Sequence, residues 1–294
     1  MKFFKRKKNN EKFSSNKLNR SKATTFLLFL FILGLGAFML LPLILIIGNS
    51  FKPFNELWTF PPRLFPQNPT TRNYSDMFVV MSDSVVPFVR YLFNSLLVTI
   101  LGTAGHIIIA SLCAFEMAKK KFPGRDLIFN IIVITLMFNA TVTAIPNYIT
   151  MAKLNWIDTY LPLIIPAFAS PLGLYLMKQF MEQIPDALLE SARIDGASTW
   201  QTFIKIVMPN VKSAWLTLML LSVQSLWSIG STSYIFSEEL KTLPYALSQI
   251  LAGGIARQGV GNAVSVAMMS VPIGIFIFTQ SNIIETMSSS GMKD

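Results

Sequence analysis

The sequence predicts an all-α, polytopic membrane protein with six transmembrane helices, and three observations predict it. Of 294 residues, 52% are hydrophobic and only 14% charged, whereas a soluble domain carries about 25% charged residues. Six stretches are apolar over roughly the 20 residues that cross the hydrocarbon core, and none of them contains Asp, Glu, Lys or Arg. The 25 Lys and Arg residues collect in alternate connecting segments rather than spreading evenly.

The first span is Phe26–Gly48. It is longer than the apolar region of a signal peptide, about 7–15 residues, and no small-residue cleavage site follows it; the chain continues Asn49-Ser50-Phe51-Lys52. It is therefore expected to be retained. The second span, Tyr91–Phe115, holds the single histidine, His106, and the single cysteine, Cys113. The third is Leu127–Ala152. The fourth, Tyr160–Met177, is short and carries Pro162, Pro166 and Pro171. Prolines free backbone carbonyls that neighbouring helices or waters must satisfy, so this span is expected to be kinked and packed inside a bundle. The fifth is Ser213–Phe236 and the sixth Gly259–Ile284.

Six spans place both termini on one side. Of the 25 Lys and Arg, 18 lie before the first span, between spans two and three, between four and five, and after the sixth; 7 lie in the other loops. The positive-inside rule then puts both termini in the cytoplasm. The domain organisation that follows is a basic cytoplasmic tail over 1–25, a membrane domain over 26–284 with an inside loop at 178–212, and a cytoplasmic tail over 285–294. This placement accounts for the net charge of +10 as topogenic charge near anionic headgroups, without nucleic acid.

Composition excludes several functions. One cysteine forms no intrachain disulfide and no metal cluster. One histidine and no intramembrane acid leave little for a membrane-embedded enzyme or an ion relay, although an ion-coupled secondary transporter or channel is the alternative reading. No Gly-x-x-x-x-Gly-Lys-Ser/Thr string occurs, so this chain is not expected to hydrolyse ATP. The pairs Gly34/Gly36 and Gly259/Gly261 suit close helix packing.

The inside loop is the most informative segment. Pro185 suits a first helical position, with Asp186 favourable at the positive end of the dipole. Gly196 suits a left-handed helix stop. Ser198 and Gln201 form a capping box for a second short helix, whose far end Pro209 should limit. On the first helix Ala187, Glu190 and Ile194 share a face, bordered by Leu188, Ser191 and Ala192. On the second, Trp200, Phe203, Ile204 and Val207 form an apolar face. Such a unit fits a complementary groove on a partner; it is equally the pattern of a helix pair that merely closes a loop.

The loop also reads Glu190-Ser191-Ala192, then Gly196, then Ile206-Val207-Met208-Pro209. In these residues and spacings the chain resembles the permease subunits of bacterial ABC importers, whose signature is Glu-Ala-Ala, three residues, Gly, nine residues, Ile-x-Leu-Pro. Ser191 and Met208 stand where the family has Ala and Leu. The string Ala192-Arg193-Ile194-Asp195-Gly196-Ala197 and the tail from Gln280 to Asp294 are similar to the carbohydrate, maltose-type branch. The resemblance implies a type I importer permease fold and a heteromeric complex. That complex holds a second permease subunit, two ATPase subunits that bind ATP and Mg, and an extracellular sugar-binding protein; no cofactor is bound in this chain. It implies that Asp186, Glu190, Ser191, Ala192, Asp195, Gly196, Ile206 and Pro209 couple the chain to the ATPase. Within the spans, Asn139, Asn147, Tyr148, Gln224, Trp227 and Tyr234 are the candidates for a sugar pathway, because aromatic and hydrogen-bonding groups suit a sugar. Interfacial anchoring and helix–helix ties are the competing roles for the same residues.

Overall fold

The computed structural model describes residues 22–82, 86–138, 140–230 and 233–290, and no strand occurs among them. The tail ahead of Lys22, the last four residues and Asn139 lie outside the described residues. The chain divides into two units, residues 1–45 and 46–294. The described part of the first belongs to helix α1 (Lys22–Ser50), which continues through Pro42. Its side chains from Ala23 to Pro42 are exposed, as expected of a helix whose solvent is lipid.

The second unit continues with α2 (Phe54–Leu57), α3 (Arg72–Ser82) and α4 (Phe88–Lys119), then α5 (Arg125–Thr135), α6 (Ala140–Lys153), α7 (Leu161–Phe168) and α8 (Pro171–Glu182). Next come α9 (Asp186–Ile194), α10 (Thr199–Thr202), a π turn at Phe203–Val207, α11 (Met208–Asn210) and α12 (Lys212–Trp227). A 3-10 turn at Glu238–Leu240, α13 (Leu243–Ala252), a second 3-10 turn at Gly254–Arg257 and α14 (Gln258–Ser290) complete it.

Among the described residues, four stretches are long and apolar enough to cross a membrane: Ala23–Ser50, Phe88–Lys119, Leu161–Glu182 and Gly254–Gln280. The pair Thr199–Asn210 and Lys212–Trp227, bent by 78°, makes a fifth if counted as one span. The predicted third span is interrupted. Its two halves, α5 and α6, meet at a turn in which Leu136, Met137 and Phe138 bond three residues back, to Val133, Ile134 and Thr135. The neighbouring Thr135, Asn139, Thr141, Val142 and Thr143 are all weak helix formers, so an apolar run long enough to span does not stay one helix. The fourth span is kinked as its prolines predict. α7 ends at Phe168, Ser170 is extended, and α8 restarts at Pro171. One face of it is buried (Leu163, Ile164, Met177, Met181) while Leu161, Leu172 and Tyr175 are exposed, so it is packed on one side only.

Helix α4 is the spine. At 32 residues it is about 48 Å long, and α7, α8 and α12 pack along it. Three buried clusters mark its length. At its start, Phe88 and Tyr91 meet Met77, Trp227, Leu243, Ile250 and Val264. At mid-length, Val98 meets Leu163, Ile164, Leu226 and Ile235. At its end, Ala114 and Phe115 meet Met177, Met181, Leu189, Phe203, Val207 and Leu218. The expected close packing of Gly259 and Gly261 is present, against Asn73 and Leu251, whereas Gly34 and Gly36 have no neighbour within 4 Å. The sixth helix outruns its predicted end at Ile284 and continues to Ser290.

Candidate functional site

The loop between α8 and α12 folds as two short helices, as the sequence predicts, and its turns explain why. Pro185 is the residue before the first turn of α9, one position ahead of expectation. At the other end, Ala197 N–H donates to Ala192 O (2.9 Å) and Gly196 N–H to Arg193 O (3.0 Å). These are the paired bonds of a Schellman stop, and Gly196 takes the left-handed φ of 80° it requires. Ser198 then caps α10: its Oγ accepts from Gln201 N–H (3.2 Å) while Gln201 Oε1 accepts from Ser198 N–H (2.9 Å).

Pro209 does not end the second helix. The chain widens into the π turn, Met208 N–H reaches back to Phe203 O, and the helix runs on to Asn210. A proline cannot donate to the carbonyl four residues back; a five-residue turn just before it absorbs the missing bond. The direction changes one residue later, at buried Val211. Side chains secure the bend, with Asn210 Nδ2 donating to Ile206 O (2.7 Å) and Trp215 Nε1 to Met208 O (3.2 Å).

The result is a unit with a root and a head. Leu189, Phe203 and Val207 are buried in the cluster at the end of α4, with Ile206 packed partly against it, and Ala192 is buried as well. The expected apolar face of the second helix is therefore split: Phe203 and Val207 turn inward, Trp200 and Ile204 outward. The head is exposed and presents two large apolar side chains among polar ones. Ile194 is 86% and Trp200 58% exposed, and Ala187, Glu190, Ser191, Asp195, Gly196 and Pro209 are exposed beside them. Of the eight residues assigned to coupling, Ala192 and Ile206 thus belong to the root. Glu190 makes no hydrogen bond or ion pair among the described residues.

Asp186 is exposed but occupied. Lys119, the last residue of α4, donates to Asp186 Oδ1 (2.9 Å) and to Ile184 O (2.5 Å). The Lys119 hydrogen bond and charge hold the Asp186 carboxyl below its ordinary pKa. One cation thus closes the end of α8 and the start of α9, fixing the head to the spine. A second lysine, Lys178, is buried in α8, paired with Glu182 (2.6 Å) and lying 3.9 Å over the Phe129 ring of α5. Neither role was legible beforehand: both lysines read as topogenic charge, and their partners are set by tertiary packing.

The opposite end of α4 meets a polar clasp that sequence reasoning also missed. Asn94 donates to Glu239 O and Lys241 O (both 2.8 Å) and accepts from Tyr160 Oη (2.7 Å). Asp158 accepts from Phe236 N–H (3.0 Å), Ser237 N–H (2.8 Å) and the Ser237 hydroxyl. The Ser237 bonds hold the Asp158 carboxyl below its ordinary pKa. The pathway candidates fall at or near this half. Tyr148 and Tyr234 stack at 6.1 Å, Asn147 is exposed, and Gln224 borders a cavity of about 240 Å³ with Pro272 and Phe276. Trp227 is corrected to a core residue: it is 2% exposed, and its indole N–H donates to Met268 O at 2.7 Å, tying α12 to α14.

With this geometry in place, comparisons sharpen the picture. Residues 106–287 match the family model described as binding-protein-dependent transport system inner membrane component. Protein LplC of Bacillus subtilis (strain 168) is 33% identical over 199 residues, covering 68% of this chain and 65% of its own length. The arabinooligosaccharides transport system permease protein AraQ of the same organism is 27% identical over 266 residues, or 90% and 94%. The sn-glycerol-3-phosphate transport system permease protein UgpE of Escherichia coli O1:K1 / APEC is 35% identical over 196 residues, or 66% and 69%. Among solved structures, a chain of a bacterial ABC transporter involved in import of the acidic polysaccharide alginate superposes with a TM-score of 0.76 at 24% identity, covering 89% of this chain and 98% of that one.

Proposed function

The chain belongs to the family of binding-protein-dependent transport system inner membrane components, and from that premise we propose that it is a transmembrane permease subunit of an ATP-driven importer for a carbohydrate, an oligosaccharide, delivered by an extracellular binding protein. Its partners are a second permease subunit, two ATPase subunits and that binding protein. The distribution of Lys and Arg supports a plasma-membrane orientation with both termini in the cytoplasm. A relative named for arabinooligosaccharides and a structural neighbour from an alginate importer support an oligomeric sugar.

The observation that carries this reading is the head of α9–α10: an exposed apolar surface flanked by an unpaired carboxylate and mounted on a buried root. It is the shape needed to seat in a cleft of an ATPase and pass force to the membrane helices. The chain supplies no nucleotide site; ATP binding in the partner draws the ATPase subunits together, and the docked heads follow. The equilibrium of the bundle shifts only by the difference in how well the partner fits its two states, so a rigid mount matters as much as the contact.

The test is uptake in an assembled transporter carrying Glu190→Lys or Gly196→Pro. The expected result is loss of uptake and weaker retention of the ATPase subunits with normal membrane insertion. Undiminished uptake in both variants would remove the proposal. Screening which glycan raises the melting temperature of the cognate binding protein then identifies the sugar class.

A further inference from the structure

The loop that follows the first span carries Trp58-Thr59-Phe60-Pro61-Pro62-Arg63-Leu64-Phe65, and every one of these residues is exposed. Phe60 is 95%, Phe65 71% and Trp58 55% exposed. A run of exposed apolar side chains marks an interaction site, the more so when the backbone beneath it is held. Here it is held twice. The Glu56 carboxylate accepts from Gln67 N–H (2.9 Å), Asn68 N–H (3.0 Å) and Asn68 Nδ2 (2.8 Å), closing the loop at its base. These bonds, the one from Gln67 foremost, keep the Glu56 carboxyl below its ordinary pKa. Buried Lys52 pins the far side, donating to Arg63 O (2.5 Å) and to Asn49 Oδ1 (2.7 Å).

The same pins set the depth of the loop. The apolar run of the first span ends at Gly48, and a side chain at Gly48 would collide with Leu64 O. Glycine there lets the loop backbone lie directly on the last turns of α1. Ile47, one residue earlier, is still exposed, as a side chain facing lipid would be. Leu64 and its aromatic neighbours are therefore offered where hydrocarbon gives way to headgroups, at the end of the span opposite the basic tail.

We propose that residues 58–65 form an interfacial anchor, which sets Trp58, Phe60 and Phe65 into the lipid leaflet on that side, the outer one in the orientation given above, and so fixes the external end of the first span. Aromatic rings settle at this boundary, and a segment lying in it is held by the apolar area it buries. Arg63 is the one charged residue of the eight, and a guanidinium suits the phosphate of a headgroup. A sugar would want hydrogen-bonding groups free beside the rings. Instead, the Glu56 carboxylate and the Asn68 amide are committed to the loop itself, and the Thr59 hydroxyl donates to Glu56 O (3.0 Å). A protein arriving from outside would be met best by a projecting loop, whereas the pins draw this one down onto α1.

Because Cys113 is the only cysteine, Cys113→Ser with Phe60→Cys gives the full chain a single thiol, on the loop, for the environment-sensitive fluorophore nitrobenzoxadiazole. In phosphatidylglycerol-containing vesicles its emission is expected to be shifted to the blue. Phospholipid carrying a nitroxide near the top of its acyl chain is expected to quench it, and aqueous iodide on both faces is not. Adding Glu56→Ala, which frees the Gln67 and Asn68 amides, is expected to raise iodide quenching severalfold, with circular dichroism showing that the helices persist. Iodide that quenches the intact loop as strongly as the Glu56→Ala loop overturns the anchor. So does shielding that appears only when the external binding protein or a carbohydrate is added.

Discussion

The two ends of α4 treat their polar and apolar groups in opposite ways. At the start, Asn94 is committed to Tyr160 and to the Glu239 and Lys241 carbonyls, and Asp158 to Ser237 and the Phe236 amide, so the clasp satisfies itself. At the end, Ile194 and Trp200 stand in the open beside Glu190, while everything beneath them is buried. Both ends are helix junctions built from short helices and turns. The difference lies in what is left over: one end is complete in itself, and the other has a finished mount and an unfinished surface. An incomplete surface on a complete mount is what a mechanical contact requires.

Substitutions can break or sharpen that contrast, and the root should respond most. Phe203→Ala is expected to cost about 3–5 kcal/mol, the range for removing a buried aromatic side chain, read as a lower unfolding midpoint in detergent. Next is the mount. Lys119→Met leaves the Ile184 carbonyl without its donor and should cost about 1–3 kcal/mol, the penalty for an orphaned buried acceptor, while exposed Asp186 turns to water. Limited proteolysis should show new cleavage between Glu182 and Asp186. A similar loss, about 1–3 kcal/mol, is expected for Asn94→Ala, read as faster amide exchange at residues 237–243.

The head should behave otherwise. Ile194→Ser with Trp200→Ser is expected to leave stability within about 0.5 kcal/mol, as exposed substitutions do, yet to abolish retention of the ATPase subunits on purification. If that pair destabilises the isolated chain as much as Phe203→Ala does, head and root are not distinct. The smallest effect is pH dependence of the clasp. The folded pKa of Asp158 is depressed below its ordinary carboxylate value by the Ser237 hydrogen bonds, so its contribution is complete above that ordinary value and lost as the pH falls through the depressed pKa. Fluorescence of Trp156 during acid titration should report the release, and Asp158→Asn should flatten the curve.

What could be read in advance follows the same division. Schellman stop, capping box and apolar spans are local, and Gly196, Ser198, Gln201 and the long uncharged runs announce them. The two turns that shape the exposed loop were legible for that reason. The clasp was not, because Asn94 meets Lys241 across 147 positions, and no periodicity encodes such a meeting. The break in the third span was missed because hydropathy measures length in lipid rather than helix propensity. Trp227 was misplaced because an aromatic residue in a span reads alike whether it faces a pathway or a core; only the Met268 carbonyl decides it.

The five-residue turn at Phe203–Val207 has a bearing on how this region tolerates indels. It holds one residue more than an α turn uses, and each residue of an α-helix advances the azimuth by about 100°. Deleting one residue there and restoring ordinary pitch would swing Trp200 a quarter-circle or more around the helix axis while every neighbouring side chain stayed the same. Related chains that differ by a single residue in this stretch should therefore be unable to exchange their nucleotide-hydrolysing partners, however similar their remaining sequence.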